Sequence, residues 1–364
     1  MNGTGNNIRI LVAPLDWGLG HAARCVPIIG ELHLRGCEVA LAADGAAAKL
    51  LAREFPQLQI LQLPGYAIRY GKMGMLPSIL LQLPRIFRTI KRERKWLDEL
   101  LKKEHFDVVI SDNRPGFWNS RSHCIYITHQ LRIQSGISEW IDDRLQKLHT
   151  RYMNRFHEVW VPDFAGSNNL SGKLSHPVQQ MIQPVYMGLL SRLVKKQEEK
   201  KYELMILLSG PEPQRTIFES KLLRELKSVS AKVLLVRGLP SATDQSDAGE
   251  NITVCNHLTA SQLEEAIQQS ELIICRSGYT TLMDLLKLRS KAVLVPTPGQ
   301  TEQEYLAFHA NKENLFPYII QQEFTVKAAL QVAANFHFQN SFAPEDFEHY
   351  RQLTDELLES LKRS

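Results

Sequence analysis

The stretch Glu271-Leu272-Ile273-Ile274-Cys275-Arg276-Ser277-Gly278-Tyr279-Thr280-Thr281-Leu282-Met283-Asp284 passes from a β-rich apolar run, through one glycine turn, into a segment of helical periodicity. A short apolar run bounded by turn residues and followed by a helix is the building block of a parallel sheet with crossover helices. Outward from this stretch the block recurs at Glu203–Leu208, Lys232–Val236, Asn251–Cys255 and Lys291–Val295. An earlier series runs through Ile8–Ala13, Glu38–Ala42, Gln57–Leu61, Asp107–Ser111, Cys124–Thr128 and His157–Val161. Between the two series lies Lys195-Lys196-Gln197-Glu198-Glu199-Lys200-Lys201, too charged to bury surface. The reading is therefore α/β, with two Rossmann-like parallel-sheet domains over residues 1–190 and 191–340, expected to face a cleft. Residues 341–364 read as a terminal amphipathic helix, with Phe347, Tyr350, Leu353, Leu357, Leu358 and Leu361 on the face that must find a groove.

Composition excludes several classes. Of 364 residues, 44% are apolar and 23% charged, which rules out wholesale disorder, collagen and a coiled coil. Lys and Arg number 43 against 39 Asp and Glu, and an excess of +4 on this length implies no nucleic-acid partner. Cys25, Cys37, Cys124, Cys255 and Cys275 are scattered and contain no C-x-x-C pair, so they read as reduced thiols rather than a disulfide framework or a metal site. No apolar stretch reaches about 18 residues and the N-terminus lacks a basic n-region, so a cytoplasmic protein is expected.

Ligands of such sheets bind beyond the carboxyl ends of the strands, so those loops are read for chemistry. The first strand ends in Pro14-Leu15-Asp16-Trp17-Gly18-Leu19-Gly20-His21-Ala22-Ala23. Gly18, Gly20 and Ala23 satisfy G-x-G-x-x-A, with Asp44 where a ribose-binding acid would stand. A dinucleotide turn, however, needs its first glycine directly after the strand, and four residues intervene. The better reading sets His21 at a helix N-terminus, where the dipole disfavours imidazolium and leaves a neutral general base; a helix cap is the alternative. Asp16 orients that imidazole or is a turn residue. Asp112-Asn113-Arg114 and Thr128-His129-Gln130 close two further strands with polar side chains, as turns or as ligand contacts.

In the second series Ser209-Gly210 precedes Pro211 and Pro213, which remove two donors but leave Ser209 and the Gly210 amide to meet a phosphate. The opening stretch is stronger. Unpaired amides at its helix start, the hydroxyls of Ser277, Thr280 and Thr281, and the Arg276 guanidinium suit an anion. Asp284, about one and a half turns into the helix, can accept both hydroxyls of a ribose; a capped helix with a surface acid is the alternative. Gln303 and Glu304, after Pro296-Thr297-Pro298-Gly299, reach sugar hydroxyls or simply place an acid at the positive helix end.

Arg276-Ser277-Gly278-x-x-Thr281-x-x-Asp284, Pro296-x-Pro298 and Gln303, in this order and spacing, resemble the C-terminal half of glycosyltransferase family 28. Its best-known members are the MurG-type N-acetylglucosaminyltransferases. The resemblance implies a GT-B fold and an inverting, metal-independent transfer from a UDP-sugar co-substrate, with no other cofactor. It implies that Asp284 binds the donor ribose, that the segment around Asn256, His257 and Leu258 reads uracil, and that Arg192 lies on the uridine side. It places Gln303 on the donor sugar, with Glu304 where a second glutamine is usual, and Ser209-Gly210 at the phosphate. Gly18-Leu19-Gly20-His21 resembles a shortened form of the family's acceptor loop and Thr128-His129-Gln130 its third acceptor loop. Asp112-Asn113-Arg114 replaces a glycine-rich second loop, which implies a different acceptor.

From Leu76 the residues Ile79, Leu80, Leu83, Ile86, Phe87 and Ile90 form an apolar stripe, beside Arg85, Arg88, Lys91, Arg92, Arg94 and Lys95. Such a segment is an ordinary crossover helix or docks on anionic lipid at the inner face of a membrane, through residues 76–95. The expectation is a glycosyltransferase acting on a glycan or lipid-linked acceptor, with His21 as base and Asp16 or Asp112 behind it. Its rivals are a UDP-sugar epimerase of the same architecture, an NAD-dependent oxidoreductase and a non-catalytic glycan-binding relative.

Overall fold

The computed structural model describes residues 7–63, 65–66, 75–133, 138–177, 182–239 and 251–363. They divide into two compact units, the first drawn from the described residues up to 66 and within 79–192 and 343–363, the second from 75–78 and the described residues within 193–342.

The first unit holds β1 (Arg9–Pro14), β2 (Glu38–Ala43), β3 (Gln59–Gln62), β4 (Val108–Asp112), β5 (His123–Ile127), β6 (Glu158–Val161) and β7 (Val185–Tyr186). All pair in parallel in the order β3-β2-β1-β4-β5-β6-β7. Its helices are α1 (Leu19–Leu34), α2 (Gly45–Glu54), α3 (Met75–Leu100) and α4 (Glu139–Met153). Each inner strand is apolar on both faces because helices cover both. Leu11, Ala13, Val109, Tyr126, Val159 and Val161 accordingly share one core with Leu97, Phe106 and Phe117.

The second unit holds β8 (Tyr202–Leu207), α5 (Gln214–Leu226), β9 (Val233–Val236), β10 (Ile252–Cys255), α6 (Ala260–Gln268), β11 (Ser270–Cys275), α7 (Tyr279–Leu288), β12 (Ala292–Leu294), α8 (Thr301–Lys312) and α9 (Val326–Asn335). The strands again pair in parallel, in the order β10-β9-β8-β11-β12, over a core centred on Ile206, Leu235, Ile274, Val293 and Phe218. In both sheets the winding reverses direction, between β1 and β4 and between β8 and β11. Such reversals open a crevice at the carboxyl edge.

The terminal helix α10 (His349–Arg363) belongs to the first unit. It buries Tyr350, Leu357 and Leu358 and pairs Asp355 with Arg35 and Arg351 with Glu31 on α1. The short 3-10 turn Pro344–Phe347 seats against Gly188, where a Cβ would stand 2.6 Å from the Asp346 carbonyl oxygen. Along α3 the described part of the apolar stripe is divided: Phe87 is exposed, while Ile86 and Ile90 turn inward. Ile90 is buried and Ile86 packs with it on Leu15 and Tyr66, while Arg85, Arg88, Lys91, Arg92 and Lys95 are exposed. The side chains of Leu76, Ile79 and Leu80 lie outside the described residues. Among the described residues no helix is long and apolar enough to cross a membrane.

Candidate functional site

At the carboxyl edge of the first sheet, β1 and β4 end in register, Pro14 opposite Asp112, and the Leu15 amide donates to the Asp112 carbonyl at 3.0 Å. The chain then crosses Asp16 and Trp17 and reaches Gly18, which caps α1 at φ 92°, a left-handed value a side chain would resist. This turn sets His21 in the first turn of α1, where Nδ1 lies 3.3 Å from both Asp112 carboxylate oxygens. The His21 side chain is 16% exposed and that of Asp112 is fully buried. Among the described residues, Nε2 of His21 makes no hydrogen bond.

Arg24, one helical turn on, grips Asp112 with Nε at 2.9 Å and with Nη2, which also lies 3.0 Å from His21 Nδ1. Its Nη1 stands 2.9 Å from Nδ1 of the buried His129. Guanidinium has no acceptor, so His129 takes that hydrogen bond on a lone pair. Burial, reinforced by the Arg24 charge, holds the His21 imidazole below its ordinary value against the pull of Asp112. Burial alone would raise Asp112, but Arg24 and His21 overcome it and hold the carboxyl well below the usual carboxylate range. The sequence reading credited the helix dipole with keeping His21 neutral; burial and Arg24 lead instead. It also placed Asp16 and Asp112 side by side as candidates, and only Asp112 touches the ring.

Asp16 accepts from the Tyr66 amide at 2.9 Å, and its other oxygen lies 3.6 Å from Arg114 Nη2. Arg114, read as an acceptor contact, is fully buried. Nε donates to the Pro14 carbonyl at 2.8 Å and Nη1 pairs with the buried Glu93, which Tyr66 also holds at 2.7 Å. A guanidinium needs acceptors, and here the strand end and α3 supply them inside the unit. Asn113, at φ 58°, accepts from the Tyr126 hydroxyl at 3.1 Å, and the Gln130 amide donates to Thr128 Oγ1 at 3.1 Å. Gly20 and Gln130 are half-buried beside them. Asp44, which stands where a dinucleotide site would place a ribose-binding acid, caps α2 by accepting from the Gly45 amide at 2.8 Å.

The second unit gathers three loops at its own edge. Ser209 and Gly210 follow β8 exposed, with Gly210 at φ 99°. After β11, Gly278, which has no side chain to donate or accept, caps α7. After β12 comes Thr297, 1% exposed, whose Oγ1 has no hydrogen-bond partner among the described residues. The loops lock together. Ser277 Oγ donates to the Gln303 carbonyl at 2.7 Å, the Thr297 amide donates to Gln303 Oε1 at 2.9 Å, and a Cβ on Gly210 would stand 3.5 Å from Thr297 Oγ1. The buried, unpaired Thr297 hydroxyl escaped the sequence reading; its only signal was its place between two stiffening prolines.

Arg276 had been read beside the anion, and the structure turns it inward. Nη1 donates to the Val295 and Pro296 carbonyls at 3.0 and 3.2 Å, Nη2 to Gln321 Oε1 at 2.6 Å, and the guanidinium lies 4.5 Å over Phe218. Burial lowers it to about 10. Glu304 Oε1 accepts from the Gly299 amide at 2.9 Å, so it and Gln303 first stiffen the loop that carries Thr297. Thr280, Thr281 and Asp284 are half-buried on α7, and His257 and Leu258 half-buried after β10, where Arg237 donates to Asn256 Oδ1 at 2.9 Å. Arg192, assigned to the uridine side, lies in the first unit and pairs with Glu54 at 2.6 Å.

Residues 214–344 match the glycosyltransferase family 28 C-terminal domain. No curated protein matches the sequence. Among solved structures the chain resembles the glycotransferase of kitacinnamycin (TM-score 0.69, 13% identity, covering 98% of this chain and 99% of that one). It resembles the glycosyltransferase VinC in complex with DTDP (0.62, 12%, covering 98% and 100%). It also resembles MurG of Acinetobacter baumannii (0.54, 14%, covering 98% and 100%). The resemblance to glycosyltransferase family 28 read between Arg276 and Gln303 thus holds over residues 214–344, in a chain whose fold is GT-B.

Proposed function

We propose that the chain is an inverting glycosyltransferase that moves a sugar, an N-acetylhexosamine or hexose, from UDP to an acceptor hydroxyl without a metal. The observation that carries the reading is the convergence of the loop after β8 with the loops after β11 and β12, the latter two within the segment that matches family 28, on a buried Thr297 hydroxyl that has no hydrogen-bond partner among the described residues. An anion at that point meets the positive end of α7, the Gly210 amide and the Thr297 hydroxyl together. Asp284 then grips the ribose, and the His257-Leu258 segment borders the base. Gln303 and Glu304 reach the sugar with the atoms their loop contacts leave over. VinC, whose structure holds DTDP, supports a nucleoside diphosphate as the donor's leaving half.

In the transfer the acceptor oxygen bonds to the anomeric carbon as the bond from that carbon to the diphosphate breaks. The electron pair leaves with UDP, and the acceptor proton passes to Nε2 of His21. Asp112 lies across Nδ1 and stabilises the imidazolium that results. The acceptor we propose is a lipid-linked or envelope glycan, met at the inner membrane face with the help of the exposed Arg85, Arg88, Lys91, Arg92 and Lys95.

A thermal-shift panel of UDP, GDP, TDP and NAD tests the donor half. A rise in melting temperature with a pyrimidine nucleoside diphosphate, and none with NAD, is expected. No response to either pyrimidine nucleotide would remove the basis of the reading.

A further inference from the structure

We propose that Arg24 is the positioning residue of the first-unit site: by balancing the buried Asp112 charge and facing Nδ1, it keeps the resting His21 imidazole neutral and able to accept a proton. The inference rests on the reading of His21 as base. A histidine against a buried, otherwise uncompensated carboxylate would be driven to imidazolium, because an opposite charge within about 4–6 Å favours the charged ring. Imidazolium has no lone pair to offer a substrate hydroxyl. At this edge Asp112 is fully buried and has His21 Nδ1 at 3.3 Å from both oxygens, yet Arg24 occupies the same two oxygens.

The charge balance is local. The groups that act on His21 are Arg24, Asp112 and His129. Cys25 Sγ touches Asp112 at 3.4 Å, and Tyr126 lies within range of the Asp112 charge; burial, aided by that charge, raises both, so neither contributes a charge of its own. His129, 2.9 Å from Arg24 Nη1, acts on His21 in the same sense as Arg24 and after it. Among the described residues Arg24 is thus the cation that offsets Asp112 while His21 rests. In the resting ring the Nδ1–H faces the Asp112 carboxylate and leaves Nε2 its lone pair; when Nε2 takes a proton, the repulsion from Arg24 favours its release once the product has left.

The test is the titration of His21 in the free protein, followed by NMR with labelled histidine, together with the pH profile of turnover. In Arg24→Gln the His21 midpoint should rise by about one unit or more, and the acid limb of kcat/KM with it. Arg24→Lys, which restores the charge without the fork, should return the midpoint to within about half a unit of the natural protein. If Arg24→Gln does not fold, the comparison moves to Asp112→Asn with and without Arg24→Gln, where the double variant should titrate higher by about one unit. A His21 midpoint unmoved by loss of Arg24 in a folded variant overturns the proposal. Because the titration needs no substrate, it is separable from the reading beneath it. Full turnover in His21→Ala with the expected titrations would reject the base and leave the Arg24 role standing; a dead His21→Ala with unmoved titrations would do the reverse.

Discussion

Replacing Thr297 by valine should change stability and nucleotide binding in opposite directions. The Thr297 hydroxyl is buried and has no hydrogen-bond partner among the described residues, and the loop around it is fixed by Gln303 and Glu304. An unsatisfied buried hydroxyl costs about 1–3 kcal/mol, and valine keeps the shape while removing the polar atom. We therefore expect Thr297→Val to raise stability by about 1 kcal/mol, a gain of about 2–4 °C for a unit of this size. The same hydroxyl, given a diphosphate oxygen, makes a hydrogen bond to a charged group worth about 1.5–3 kcal/mol. Its loss should weaken UDP binding roughly 10- to 150-fold. Scanning calorimetry of the free protein and titration calorimetry with UDP measure the two effects separately. A variant that melts lower and binds UDP as well as the natural protein would show that the hydroxyl is satisfied within the fold, and the donor site would then lie elsewhere.

Three further outcomes follow from the same geometry. His21→Ala should cut turnover by about 100- to 10,000-fold with UDP affinity unchanged, and in the natural protein kcat/KM should stay flat on acidification through pH 6.5, because burial and Arg24 keep the imidazole neutral below its ordinary value. Arg276→Met should lower the melting temperature, by about 2–4 kcal/mol of stability, since Gln321 and two carbonyls lose a buried partner, while UDP affinity in the folded protein stays the same. Glu93, pushed up to about 7 by burial against the pull of Arg114 and Tyr66, destabilises the fold as pH rises from about 4.5 to 7. At about 1.4 kcal/mol per unit, roughly 3 kcal/mol is at stake. Urea unfolding of Glu93→Gln should show that pH-dependent loss gone, and an unchanged slope between pH 5 and 7 would contradict it.

The strands were legible because the buried part of a parallel strand is an unbroken apolar run, as at Ile10–Ala13 and Leu272–Cys275. β7 was not, since two residues, Val185 and Tyr186, carry no periodicity. The glycines before His21 and Thr280 marked two helix starts, and both helices begin there. What sequence could not tell was the direction of an arginine at a strand end. Arg114 and Arg276 look like ligand contacts in one dimension, yet each turns inward to acceptors contributed from far along the chain, Glu93 for one and Gln321 for the other. Arg24 was hidden for the converse reason: a lone cation in an apolar helix reads as a solvated position, and only the approach of β4 to α1 reveals the carboxylate it serves.

The account is tested most directly by UDP release from UDP-sugars, measured with and without a membrane lipid extract, in the natural protein and in His21→Ala. The expected result is release that depends on the extract and falls at least about 100-fold in the variant. Conversion of the nucleotide sugar without any acceptor, or release undiminished in His21→Ala, would contradict it.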